Sequence, residues 1–153
     1  MLWIQRHAWR LLLIITVLIA FRGVWPVLLG LKEDASVPLG IAGITASELE
    51  ATSAAAYRLS DFQARSSGLD LIAMGILLSA VVLRGFRRNR PWAWWTMWTL
   101  PGWAASVFVL IRAVGVAPGQ APPNPMISGP IIAVLSAAIL LVSVPRFFGQ
   151  EPR

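Results

Sequence analysis

The stretch LLLIITVLIAFRGVWPVLLGL, residues 11–31, decides the fold. Crossing the roughly 30 Å hydrocarbon core of a bilayer takes about 20 helical residues. This run reaches that length only when Arg22 is counted inside it. A charge at such depth costs roughly 2.5–3.5 kcal/mol on insertion scales and is rarely left without a partner or a role. The residue that interrupts the apolar run is therefore also the first candidate for a site. With its basic start, the segment has some features of a signal peptide. Its apolar run continues past Arg22, however, and no small-x-small cleavage site follows at the right distance, so an uncleaved first span is expected.

Working outward, Trp92–Ile111 is uncharged over a full span length and Met126–Val144 is nearly as long. Leu71–Leu83 is too short by itself, so a second span must begin near Ser66 and enclose Asp70. The expected fold is all-α, a single polytopic domain over residues 1–153. It is an integral membrane bundle of four transmembrane helices (about 9–31, 67–85, 91–116 and 126–145) with an extracytoplasmic loop helix between the first and second spans.

Composition agrees. The chain is 57% hydrophobic and 13% charged, against about a quarter charged in soluble domains, so it has too little polar surface to cover a soluble core. The net charge of +6 does not imply nucleic acid. The basic residues lie at the edges of apolar segments, where orientation signals belong. Arg6 and Arg10 precede the first span, Arg84, Arg87, Arg88 and Arg90 lie between the second and third, and Arg146 and Arg153 follow the fourth. On the opposite side Lys32, Arg58 and Arg65 are offset by Glu33, Asp34, Glu48, Glu50 and Asp61, and the Ala117–Pro125 turn is uncharged. This asymmetry predicts a cell-membrane protein with both termini cytoplasmic.

The long outer loop carries its own signal. Thr45 and Glu48 have the spacing of a capping box, with Ile44 and Leu49 as a hydrophobic staple, so a helix is expected over about 46–66. Arg58, Asp61 and Arg65 are spaced to interact along one of its faces.

Chemistry is sparse. The absence of cysteine excludes thiol redox chemistry, disulfides and thiolate metal sites. The only histidine, His7, reads as a headgroup-level residue beside Arg6 and Arg10. No cofactor, metal site, nucleotide-binding glycine motif or nucleophile-plus-base arrangement is expected, and the chain is read as non-enzymatic.

Arg22 lies 12 residues beyond Arg10, about 18 Å along a helix, and Asp70 lies 14 residues from Arg84, about 21 Å. The two spans run in opposite directions, so an Arg22–Asp70 ion pair is the economical expectation. Three other readings stay open: Arg22 holds an anionic group in an outward pocket, Arg22 takes part in conduction or proton transfer, or Arg22 extends to the outer headgroups over a bend at Pro26. Arg112, about 33 Å from Arg90, belongs at the outer interface, where snorkelling accounts for it; with Arg65 and Tyr57 it can also form a polar mouth above Asp70. Trp92, Trp94, Trp95, Trp98 and Trp103 crowd the start of the third span. The first three read as an interfacial belt, and Trp98 and Trp103, flanking Pro101–Gly102, as packing residues. Gly75 with Ser79, and Gly129 with Ala133 and Ala137, have the four-residue spacing that lets helices approach closely.

The layout resembles claudin-like tetraspan proteins in broad topology, without their extracellular cysteine pair, and implies no residue roles here. The expected partners are membrane lipids and other subunits or a second copy, with no nucleic acid. The function expected first is a structural protein or accessory subunit of a membrane complex. The alternative is a small binding or transport bundle for an anionic amphiphile or lipid, with its site around Arg22 and Asp70. A membrane enzyme using Asp70 as general base comes third.

Overall fold

A computed structural model describes residues 2–149, with side chains from residue 6 onward. The described residues are helical and contain no strand. The first long helix, α1 (Leu2–Leu29), ends in a 3-10 turn, Gly30–Glu33. Two short helices follow, α2 (Ser36–Ala42) and α3 (Ala46–Thr52). The second long helix is α4 (Ala54–Arg84). After a 3-10 turn at Phe86–Arg88 come α5 (Pro91–Met97), α6 (Thr99–Val114) and α7 (Asn124–Phe148). The segments led by α1, α4, α5–α6 and α7 are long and apolar enough to cross a membrane.

The capping box at Thr45 forms, with the Glu48 amide donating to Thr45 Oγ1 and the Thr45 amide donating to the Glu48 carboxylate at 2.7 Å. The loop helix does not run unbroken over 46–66 as expected. It stops at Ser53, whose extended backbone (φ −153°, ψ 97°) ends α3 and whose hydroxyl accepts from the Ala56 amide to start α4. From there α4 continues through Gly68 without interruption, about 46 Å in all. The third span is broken at Trp98. Pro101 has no N–H to offer the Met97 carbonyl, so the ladder shifts and the Trp98 amide turns to the Trp95 carbonyl at 3.1 Å.

In space the long helices lie in the order α4, α1, α7, α6, with α5 bridging α4 and α7 at one end. The tightest pairing is α1 with α4. A side-chain carbon on Gly23 would lie 2.5 Å from the Gly68 carbonyl oxygen, and one on Gly75 would lie 2.6 Å from Ala20 Cβ. Neither position has room for a side chain, so backbone meets backbone. Beside this seam the hydroxyls of Thr16 and Ser79 bond at 2.8 Å. On the other flank, Gly129 of α7 approaches the Ala104 carbonyl of α6.

The buried core gathers at the arginine-rich end, where Leu12, Val82, Phe86, Met97, Leu100 and Leu140 are fully enclosed. This arrangement leaves α4 and α6 on the flanks, each with one long face turned away from the other helices.

Candidate functional site

The polar residues of the loop-helix end converge on the turn that closes α1. Gly30 adopts φ +62°, the left-handed region, and a Cβ there would lie 1.8 Å from Asp61 Oδ1. Only glycine lets the Asp61 carboxylate come so close. That carboxylate accepts the Leu31 amide at 2.9 Å and pairs with Arg65 Nε at 2.8 Å. Arg65 in turn donates to the Val27 carbonyl at 2.7 Å, supplying a donor to an acceptor that the helix end leaves open. Lys32 reaches Glu50 at 3.4 Å and lies 5.6 Å over the Tyr57 ring. Asp34 accepts from Ser36 and from Asn124 Nδ2 at 3.3 Å, which ties α2 to the start of α7. The Ala117 amide donates to Gly40 at 2.8 Å and closes the loop against the α6–α7 connection.

Arg22 belongs to this network. Its guanidinium donates to the Glu33 carboxylate and has Asp34 Oδ2 at 3.9 Å. The Arg22–Asp70 pair does not form. The physical reason is reach: an arginine side chain extends along its helix toward the end of α1, and the turn at Gly30 folds Glu33 and Asp34 back within its range. Among the described residues Arg58 has no ion pair, so the expected triad reduces to Asp61–Arg65.

Asp70 lies elsewhere. The residues of α4 that face α1 include Gly68 and Gly75, and at about 100° per residue Asp70 sits roughly 140–160° around the helix from both. It is exposed, with Leu69, Ala73, Ile76 and Leu77 exposed around it, and among the described residues no cation reaches it. Arg112 is exposed at the end of α6 and makes no hydrogen bond or ion pair with the others among the described residues. Of the five polar candidates, Arg22, Arg65 and Tyr57 therefore come together around the 3-10 turn, while Asp70 and Arg112 stand apart. No single pocket gathers Arg22 and Asp70.

The tryptophans divide differently from expectation. Trp92 and Trp95 are exposed, as an interfacial belt requires. Trp94 is not part of it: it is 6% exposed, donates from Nε1 to the Leu140 carbonyl at 3.0 Å, and meets Trp95, Trp98 and Phe148 edge-to-face. Trp98 and Trp103 pack on the buried cluster. The start of the third span is thus an anchor onto α7.

Sequence reasoning missed Glu33 and Asp34 as the partners of Arg22. The signal was their nearness in the chain, just past a proline and a glycine that can turn it. Among the described residues no group of three or more His, Asp or Glu side chains is placed to hold a metal. Charge is divided along the long axis. Among the described residues the carboxylates other than Asp70 lie at the loop-helix end, and the opposite end carries Arg6, Arg10, Arg84, Arg87, Arg88, Arg90 and Arg146. Arg153 lies outside the described residues. No family model, curated protein or solved structure matches this chain.

Proposed function

We propose that the chain is a non-enzymatic multi-pass membrane protein, with both termini cytoplasmic, that serves as an accessory subunit. It docks through the free flank of α4 onto a partner helix bearing a basic group. The cytoplasmic assignment rests on the arginine-rich end, since such residues are retained on that side, whereas the loop-helix end balances its cations with carboxylates.

Asp70 carries the docking reading. It lies about 21 Å from Arg84 along α4, inside a hydrocarbon core roughly 30 Å thick. Facing lipid there, an ionised carboxylate costs roughly 2.5–3.5 kcal/mol, and among the described residues no cation offsets it. A lysine or arginine on a neighbouring helix relieves that cost at once. From Asp70 toward the middle of α4 the flank continues with exposed Ala73 and Leu77, and Ala73, one turn along, lets another backbone come near.

The test is co-purification in a mild detergent. Wild type is expected to retain a stoichiometric membrane partner that Asp70→Asn loses, while Asp70→Glu keeps it. A partner retained equally by Asp70→Asn, or a wild-type chain with none, refutes the reading.

A further inference from the structure

A groove of about 590 Å³ lies between α1 and α4 at the arginine-rich end, lined by Val17, Ala20, Ile76, Ala80, Leu83 and Arg84. Its origin is in the residue sizes. The two helices are clamped at Gly75 against Ala20 and by the Thr16–Ser79 bond. Below that clamp Ala80 leaves room between larger neighbours. From Ile76 to Arg84 is eight residues, about 12 Å, close to the roughly 15 Å that half of a hydrocarbon core provides. The groove therefore spans one leaflet. Its walls are hydrocarbon, and the one other polar group in it, Ser79, already bonds Thr16.

The Arg84 end is where charge enters. Arg84 is exposed, has no ion pair among the described residues, and no described carboxylate lies at this end. Arg10 reaches the same height from the other helix, being six residues before Thr16 as Arg84 is five after Ser79, and it is likewise exposed. An apolar channel one leaflet long, ending at an unneutralised guanidinium, has the shape and polarity of a lipid chain below its phosphate. Guanidinium takes phosphate through two parallel hydrogen bonds. Basic sites between spans on the cytoplasmic side favour anionic headgroups.

We infer that this groove binds one anionic glycerophospholipid of the cytoplasmic leaflet, its acyl chain between Val17 and Ala80 and its phosphate on Arg84. The inference rests on the membrane reading above and is independent of docking at Asp70, which lies six residues before Ile76, the groove's nearest α4 residue, and fourteen before Arg84.

Native mass spectrometry of the full chain, titrated in detergent with phosphatidylglycerol or phosphatidylcholine, tests it. The expectation is one tightly held phosphatidylglycerol. Arg84→Gln should weaken its binding about tenfold, the scale of one charge-assisted hydrogen bond. Ala80→Phe, which fills the groove from an exposed position, should weaken both lipids, while Arg87→Gln and Asp70→Asn leave retention unchanged. Equal losses in Arg84→Gln and Arg87→Gln would mean diffuse attraction to a basic surface and overturn the site. Displacement of the lipid by an equal concentration of glycerol 3-phosphate would overturn the role of the chain. Release of the wild-type protein from vesicles by alkaline carbonate would overturn the membrane reading and this inference with it. Retention in the pellet without phosphatidylglycerol selectivity would overturn the lipid site alone.

Discussion

Gly75→Val puts the α1–α4 seam under direct load. The new Cβ would sit 2.6 Å from both Ala20 Cβ and the Ala20 amide nitrogen, and 2.7 Å from the Thr16 carbonyl oxygen. Carbon atoms rest about 3.5–4.0 Å apart, so the helices must separate by roughly 1 Å or more. Overpacking of this kind costs about 1–3 kcal/mol. The Thr16–Ser79 bond, 2.8 Å long and only four residues further along α4, stretches out of range and removes about 0.6 kcal/mol more. Against this stands a gain of under about 1 kcal/mol from replacing a helical glycine. The net loss is about 2 kcal/mol, or a fall in Tm of about 4–8 °C for a chain of this size. Thermal unfolding in detergent, followed by circular dichroism, measures it. Gly102→Val is the matched control: a Cβ there meets nothing within 4 Å, so the same substitution should leave Tm unchanged or raise it. If Gly75→Val melts with wild type, or both variants shift alike, the close seam is wrong.

A double-mutant cycle on Arg22→Ala and Glu33→Gln should give a coupling of about 0.5–1 kcal/mol, as for a partly exposed pair, while Arg22 with Asp70 should give none; the reverse would restore the pairing across the helices. Trp94→Phe should cost about 1 kcal/mol through loss of the bond to the Leu140 carbonyl, measured as a drop in Tm that Trp92→Phe does not show. Thr45→Ala should destabilise the α3 start by about 1 kcal/mol, read by hydrogen exchange of the α3 amides. The Thr45 amide donating to Glu48 holds the Glu48 carboxyl below the usual carboxylate range. Its contribution is therefore present above an ordinary pKa of about 4.3 and is lost as pH falls through the lower folded value. Protection of α3 should fall in that acid window for wild type, and not for Glu48→Gln, which has no carboxyl to titrate; equal pH profiles would contradict the cap.

The sequence was most legible where a physical requirement is local. Apolar length identified the four long segments, and the Thr45–Glu48 spacing placed the start of α3 at the correct residue. Gly75 and Ser79 signalled a close contact, although their partners Ala20 and Thr16 did not stand out, because small residues are common in apolar helices. The ion pairs were harder to read. Counting heights along straight helices put Arg22 level with Asp70 but carried no information about which way Asp70 faces around α4. That depends on the α1–α4 seam, which the glycines at 68 and 75 set. The partner that Arg22 does take was eleven residues away, hidden because a 3-10 turn with a left-handed glycine shortens a path that a continued helix would stretch to about 16 Å. The break at Ser53 and the burial of Trp94 were missed for a related reason. The burial of Trp94 depends on its contact with α7, and the break at Ser53 on a local cap of the Ala56 amide, neither of which hydropathy along one segment encodes.

As proposed above, Asp70 faces a partner helix instead of its own bundle. A photoreactive residue in place of Ala73, one turn from Asp70 on the same flank, should give one discrete protein adduct in native membranes, and Asp70→Asn should abolish it. Adducts with lipid alone, or a protein adduct unchanged by Asp70→Asn, would contradict it.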